Sequence, residues 1–134
     1  MNDILLYFAV KYEGDFDKIY QAIMNKESVD YNDVHKVKES IKCKYTTVIS
    51  SNYPKKLKNL NRPPFVIFYE GDLSLVDYKC VSIIGSRKNS EYGKIMCHKI
   101  VGELSLNNIV IISGLAKGID GIAHRVTLDT YGKT

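Results

Sequence analysis

At 134 residues, with 45% hydrophobic and 25% charged content, the chain can hold one ordinary core or a small core plus an appendage. Its formal charge of +4 is a modest basic balance, and no window approaches the roughly 18 uninterrupted apolar residues of a membrane span. The first ten residues lack the basic start and small-residue cleavage site of a signal peptide, so a cytoplasmic location without a membrane partner is expected.

The charge divides unevenly. Residues 1–44 hold seven Lys against eight Asp or Glu, whereas residues 45–134 hold twelve Lys or Arg against seven acids. The basic excess therefore belongs to the second segment, where it suits a phosphate backbone as partner. Cys43, Cys80 and Cys97 are odd in number, show no C-x-x-C pair and lie within or beside apolar segments, which predicts reduced, partly buried thiols. His35, His98 and His124 have no ligand-like spacing to them, so neither a metal nor another cofactor is expected.

Residues 1–44 read as a small helical domain. Ile4 to Val10 supplies a first helix. Asp15 can cap a second, with Phe16, Ile19, Tyr20, Ile23 and Met24 on one face as core, and Asn32 or Asp33 can start a third with Val34, Val37 and Ile41. Residues 45–134 then change character. Tyr45 to Ser50 and Phe65 to Tyr69 read as strands that extend a sheet, separated by a polar, proline-punctuated loop whose Lys55, Lys56, Lys58 and Arg62 read first as solvated.

Val81 to Gly132 has the form strand, loop, helix, strand, loop, helix. Val81–Gly85 and Ile109–Gly114 are β-branched runs closed by glycine, each followed by apolar spacing of helical period. Two strands joined by such a crossover form a right-handed parallel βαβ unit, which sends both following loops to the carboxyl edge of the sheet, where open α/β sheets bind ligands. The loops are Gly85, Ser86, Arg87 and Lys88, and Ser113, Gly114, Leu115, Ala116, Lys117 and Gly118 followed by Asp120. A glycine turn entering a helix N-terminus lets backbone approach an anion and offers N–H groups to it, and Arg87, Lys88 and Lys117 add charge. These eleven residues form the candidate phosphate- or DNA-binding site.

Ser90 is the expected N-cap of the first crossover helix, which should bury Ile95, Met96, Ile100 and Leu104, with Tyr92 read as core and alternatively as a ring on which a base stacks. Asp120 and His124 lie one turn apart and could pair as acid and base, but aspartate is also among the best N-caps, and capping is the preferred reading. Gly132-Lys133-Thr134 imitates the end of a P-loop; the glycine that motif requires five positions earlier is Thr127, so Gly132 reads as a helix C-cap.

The order Gly85-Ser86-Arg87, Ser90-x-Tyr92-Gly93 and Ser113-Gly114-Leu115-Ala116-x-Gly118-Ile119-Asp120-Gly121-x-Ala123-His124 closely resembles the DNA-processing protein A family (DprA/Smf). Tyr53-Pro54 and Pro63-Pro64-Phe65-Val66-Ile67-Phe68-Tyr69-Glu70-Gly71-Asp72-Leu73 resemble that family's lead-in. The resemblance implies an α/β fold with a Rossmann-like parallel sheet and flanking helices, preceded by the small helical domain. It also implies a non-catalytic protein that binds single-stranded DNA, protects it, and helps deliver it to the RecA recombinase in natural transformation. The helical domain's turn, Tyr12-Glu13-Gly14-Asp15, lacks the Gly-x-Gly of a phosphate-holding helical hairpin.

Family members continue past the Gly-Lys-Thr equivalent into a third parallel strand, so the sheet is expected to be incomplete on that side, with an open edge that favours self-association. A second function class stays open beside DNA binding, a nucleotide- or phosphoribosyl-binding protein, hydrolytic through Asp120.

Overall fold

The computed structural model describes residues 1–134, which separate into two compact units, Met1–Leu73 and Ser74–Thr134. No helix is long and apolar enough to cross a membrane.

The first unit begins with three helices, α1 (Asn2–Lys11), α2 (Phe16–Met24) and α3 (Tyr31–Ser40). Asp15 caps α2 as expected, its carboxylate accepting the Lys18 N–H at 3.1 Å. The cap of α3 is Asp30 rather than Asn32 or Asp33, accepting the Asn32 N–H at 2.8 Å. Phe8, Ala9, Ile19 and Ala22 form the core between α1 and α2. Tyr20, Ile23 and Met24, expected in that core, are exposed. The small Ala22 takes their place because it lies on the same helical face as Ile19 and lets α1 come close.

Two strands complete this unit. β1 (Lys44–Thr47) and β2 (Val66–Tyr69) pair antiparallel, Lys44 opposite Tyr69 and Thr47 opposite Val66, in a sheet of their own. They do not extend the parallel sheet. Phe65 and Val66 pack on the helical core, and Thr47 donates its hydroxyl to Asn2 at 2.8 Å, so the hairpin's buried face is spent on α1. The expected boundary after residue 44 thus falls inside this unit. A short helix, α4 (Lys55–Lys58), interrupts the basic loop, and Arg62, though exposed, pairs with Asp17 at 3.0 Å and lies over the Phe16 ring.

A 3-10 turn (Leu73–Asp77) begins at the last residue of the first unit, and the second unit continues with β3 (Cys80–Ser82), α5 (Glu91–Leu106), β4 (Val110–Ile112) and α6 (Ile119–Asp129). β3 and β4 are parallel, Cys80 opposite Val110 and Ser82 opposite Ile112, with α5 as the crossover. α5 and α6 pack against each other and both against β4. The core is Cys97, Val101, Ile111, Ala123 and Val126, bordered by Ile83, Leu104, Ile119 and Ile122.

Ser90 caps α5, accepting the Gly93 N–H at 3.1 Å, but the helix buries a different face from the one expected. Ile95 and Ile100 are exposed, while Cys97, Val101 and Ser105, spaced four apart, are buried. Their small side chains let α5 approach Ala123 and Thr127 of α6, and Thr130 donates to Ser105 Oγ at 2.8 Å across the seam. Tyr92, at 73% exposure, is not core.

The C-terminus of α6 closes by a Schellman arrangement in which the Gly132 N–H donates to Thr127 O at 2.8 Å and the Tyr131 N–H to Leu128 O at 3.0 Å. The left-handed residue is Tyr131, φ 55, rather than Gly132. Gly132 is required for another reason: a Cβ there would collide with Ser105 Oγ. The next residues line the far side of β4, where Ile111 N–H donates to Lys133 O at 2.9 Å and the Thr134 hydroxyl to Ile111 O at 2.7 Å. β4 is therefore hydrogen-bonded on both sides.

Candidate nucleic-acid interface

Both predicted loops leave the carboxyl ends of β3 and β4, and the structure brings them into direct contact. Ser113 Oγ donates to Ile83 O at 2.6 Å and ties the strand ends together. Beyond them, Asp120 sits in the first turn of α6, 6% exposed, with one carboxylate oxygen accepting the Gly85 N–H at 3.2 Å and the other the Gly114 N–H at 3.1 Å. It is not the helix cap. That position is Gly118, which makes no side-chain cap, and Asp120 instead reaches back to join the two loops.

Two donors expected to face a ligand's anion are thus satisfied by an internal one. The helix end is similarly occupied: Ile119 N–H donates to Ser86 O at 3.2 Å and Gly121 N–H to Ala116 O at 3.0 Å. The glycines serve the same junction. A Cβ on Gly85 would lie 2.8 Å from Ile119, one on Gly114 would lie 2.7 Å from Asp120 Oδ2, and one on Gly118 would strike Ser86 O and the Arg87 backbone. Gly118 also has φ 87 and ψ −133, a backbone conformation essentially confined to glycine. The absence of side chains serves the approach of one loop to the other.

What the junction presents outward is charge. Arg87, Lys88 and Lys117 are exposed and have no carboxylate within salt-bridge distance. Ser86 stiffens the first loop, accepting the Lys88 N–H at 3.1 Å and donating to Lys88 O at 2.9 Å. Leu115, with φ 56, is held in a left-handed conformation at 84% exposure, an apolar contact offered at the loop tip. Tyr92 stands exposed on the first turn of α5, which follows the first loop.

His124 makes no pair with Asp120. Its Nδ1 lies 2.6 Å from Thr134 Oγ1, and the Asp120 oxygens are held by backbone N–H groups. The Asp120 charge is felt by Cys97 instead, whose thiol is pushed up first by burial and then by that carboxylate. Three further basic side chains outside the loop motifs, Lys94, His98 and Arg125, line an open groove of about 770 Å³ shared with Leu115–Gly118. Their signal in the sequence was spacing alone, since Lys94 and His98 lie one turn apart on α5, as do Gly121 and Arg125 on α6.

This junction is the one that the loop motifs specify, and residues 44–134 match the family described as DNA recombination-mediator protein A. The chain belongs to that family. It is 35% identical over 113 residues to the DNA processing protein DprA of Streptococcus pneumoniae, covering 84% of this chain and 40% of that protein. With the DprA of Bacillus subtilis it shares 36% identity over 88 residues, 65% of this chain and 30% of the relative. The X-ray structure of the S. pneumoniae protein superposes with a TM-score of 0.67 at 33% identity, over 88% of this chain and 38% of the other. DNA processing protein A from Helicobacter pylori, studied for its unique single-stranded DNA binding mode, superposes with a TM-score of 0.57 at 34% identity, over 66% and 41%. The chain therefore spans less than half the length of these relatives. Their fold is Rossmann-like, and the βαβα arrangement of the second unit agrees with it.

Proposed function

We propose that the chain binds single-stranded DNA without catalysing a reaction on it, through residues 45–134 and the joined loops at the carboxyl edge of β3 and β4. Arg87, Lys88 and Lys117 meet phosphates, while Ser86, Leu115, Ala116 and Gly118 supply backbone and apolar contact beside them. The observation that carries this reading is that the two loops are locked together by Asp120 while three neighbouring cations remain unpaired. Fixed, uncompensated cations on one edge suit a polyanion, and the relative from H. pylori has a described single-stranded DNA binding mode.

A hydrolytic role for Asp120 finds no support, because both carboxylate oxygens accept backbone N–H groups and the side chain is buried. Protection of DNA and its delivery to a RecA-type recombinase belong to the same proposal and rest on family membership. Self-association is also proposed: β3 has a strand on one side only, and an edge strand favours pairing with another copy.

The test is a fluorescence titration with oligonucleotides of increasing length, beside a mononucleotide. Binding through Z phosphates weakens with salt along a log–log slope near −0.7Z, whereas a pocket for one nucleotide gives a shallow slope independent of length. Arg87→Glu should abolish most of the affinity and leave the circular dichroism spectrum unchanged; an unaltered titration would refute the proposed site.

A further inference from the structure

We propose that the groove between the N-terminal halves of α5 and α6 is a second phosphate path, along which single-stranded DNA continues after leaving the joined loops. This rests on the reading of the loops as a DNA site and extends it to residues that no loop motif contains. The groove is floored by Ala116, Gly118 and Gly121, and rimmed by Lys94 on α5, Lys117 on the loop and Arg125 on α6. A floor of small residues leaves room for a sugar–phosphate chain to lie against backbone. The three rim cations are exposed and none has a carboxylate within salt-bridge distance.

Glu91 is the single carboxylate among the lining residues, so the groove carries net positive charge before His98 is counted. Lys117 belongs both to the loop and to the rim, which makes the path continuous with the first site. Leu115 lines the same groove at 84% exposure, an apolar surface for a sugar or base edge while the phosphates face the cations. Lys94 and Arg125 stand on different helices that are packed together, so their separation is set by the core and not by flexible loops. A preorganised pair of cations on rigid elements loses less freedom on binding than two loop lysines would.

The two positions can be changed without threatening the fold, since both are exposed on helices and alanine is the best helix former. In the full chain, Lys94→Ala with Arg125→Ala should reduce the magnitude of the log–log salt slope for a long oligonucleotide by about 1.4, or about 0.7 for each lost phosphate contact. Binding of the shortest oligonucleotides that still occupy the loops should change little. Lys94→Gln with Arg125→Gln, which removes the charge but keeps a polar, hydrogen-bonding side chain, should give the same slope change and guards against a packing artefact.

An unchanged slope in both double variants, while the unsubstituted chain binds and Arg87→Glu does not, would overturn the second path and leave the loop site standing. Equal losses for long and short oligonucleotides would also overturn it, by placing Lys94 and Arg125 at the first site. If the unsubstituted chain bound no oligonucleotide, both proposals would fall together.

Discussion

The two units treat charge in opposite ways. Met1–Leu73 carries eleven Lys or Arg against ten Asp or Glu and neutralises many of them locally, with Lys11 on Glu27 at 2.7 Å, Lys38 on Asp3 at 2.8 Å and Arg62 on Asp17 at 3.0 Å. Ser74–Thr134 carries eight against five, yet its buried acid, Asp120, is turned onto backbone N–H groups and leaves the nearby cations without partners. An exposed pair adds little stability, and an exposed unpaired cation costs little, so stability does not explain the difference. It shows instead that a weakly basic composition becomes a face of unpaired cations through where its acids are placed. Placing the acid inside the junction both joins the loops and keeps negative charge away from their outer face.

The largest effect should come from the glycine at the centre of that junction. Gly14 in the first unit and Gly118 in the second both have positive φ, 76 and 87, but a Cβ on Gly14 meets nothing within 4 Å whereas one on Gly118 strikes Ser86 O and Arg87. Gly14→Ala should cost about 1–2 kcal/mol, the left-handed penalty alone. Gly118→Ala adds a backbone collision and should cost about 3 kcal/mol or more, a large part of a small domain's stability. Denaturant unfolding of the two variants would measure the difference. Equal costs would mean that the loops do not need to touch.

Next in size is Asp120→Asn. An amide keeps one acceptor oxygen and turns an NH₂ toward the second N–H, so either Gly85 or Gly114 is left unsatisfied, at about 1.5–3 kcal/mol for a charge-assisted bond. Oligonucleotide affinity should fall with it as the loops separate. Because the Asp120 charge also raises the Cys97 thiol pKa, the variant should bring that pKa down while burial, the larger cause, holds it above its ordinary value. The pH dependence of thiol reactivity reads this. A silent variant would restore Asp120 to the role of a simple helix cap.

That contrast marks what the sequence could and could not tell. The helix caps at Asp15 and Ser90, the parallel pair β3 and β4, and the meeting of their loops were legible because each depends on near neighbours and on the handedness of the crossover. The role of Asp120 was not, because its partners are backbone N–H groups 35 and six residues away, which leave no side-chain signature. The buried face of α5 was hidden for a related reason. Cys97 and Ser105 are small, so the larger Ile95 and Ile100 dominated the pattern although close helix contact selects small residues. Separate sheets for β1–β2 and β3–β4 follow from which surface α1 covers, and alternation along a strand does not encode that.

A smaller effect separates two tyrosines. Tyr53 in the first unit is 2% exposed, its hydroxyl donating to Pro64 O at 2.8 Å, whereas Tyr92 in the second is 73% exposed beside the first loop. Tyr92→Ala should leave the thermal midpoint unchanged and weaken single-strand binding by about 1 kcal/mol, the lower end of one base-stacking contact. Tyr53→Phe should do the reverse, lowering the midpoint with no effect on affinity. Loss of stability in Tyr92→Ala would assign its ring to the fold.

The smallest effect lies in the paired charges of the first unit. Lys38 donates to Asp3 at 2.8 Å and Tyr45 to the other carboxylate oxygen at 3.0 Å, and these contacts, the lysine first, hold the Asp3 carboxyl below its ordinary value of 3.8. A carboxyl lowered on folding contributes stability that is fully present above its unfolded value and is lost as pH falls through the folded one. Lys38→Met should therefore lower the thermal midpoint at neutral pH by at most a few degrees, and the gap to the unsubstituted chain should close in acid below the Asp3 titration. Both side chains are well exposed, so added salt should shrink the gap at neutral pH as well. Arg87→Gln offers the matching measurement in the second unit: with no ion pair to lose, its thermal midpoint should stay at that of the unsubstituted chain with or without the same salt, while the proposed DNA affinity should be strongly sensitive to it. A midpoint gap for Lys38→Met that persisted in acid would show that the Lys38–Asp3 charge pair is not its source, and the electrostatic contrast between the units would have to be carried by the other pairs, Lys11–Glu27 and Arg62–Asp17 among them.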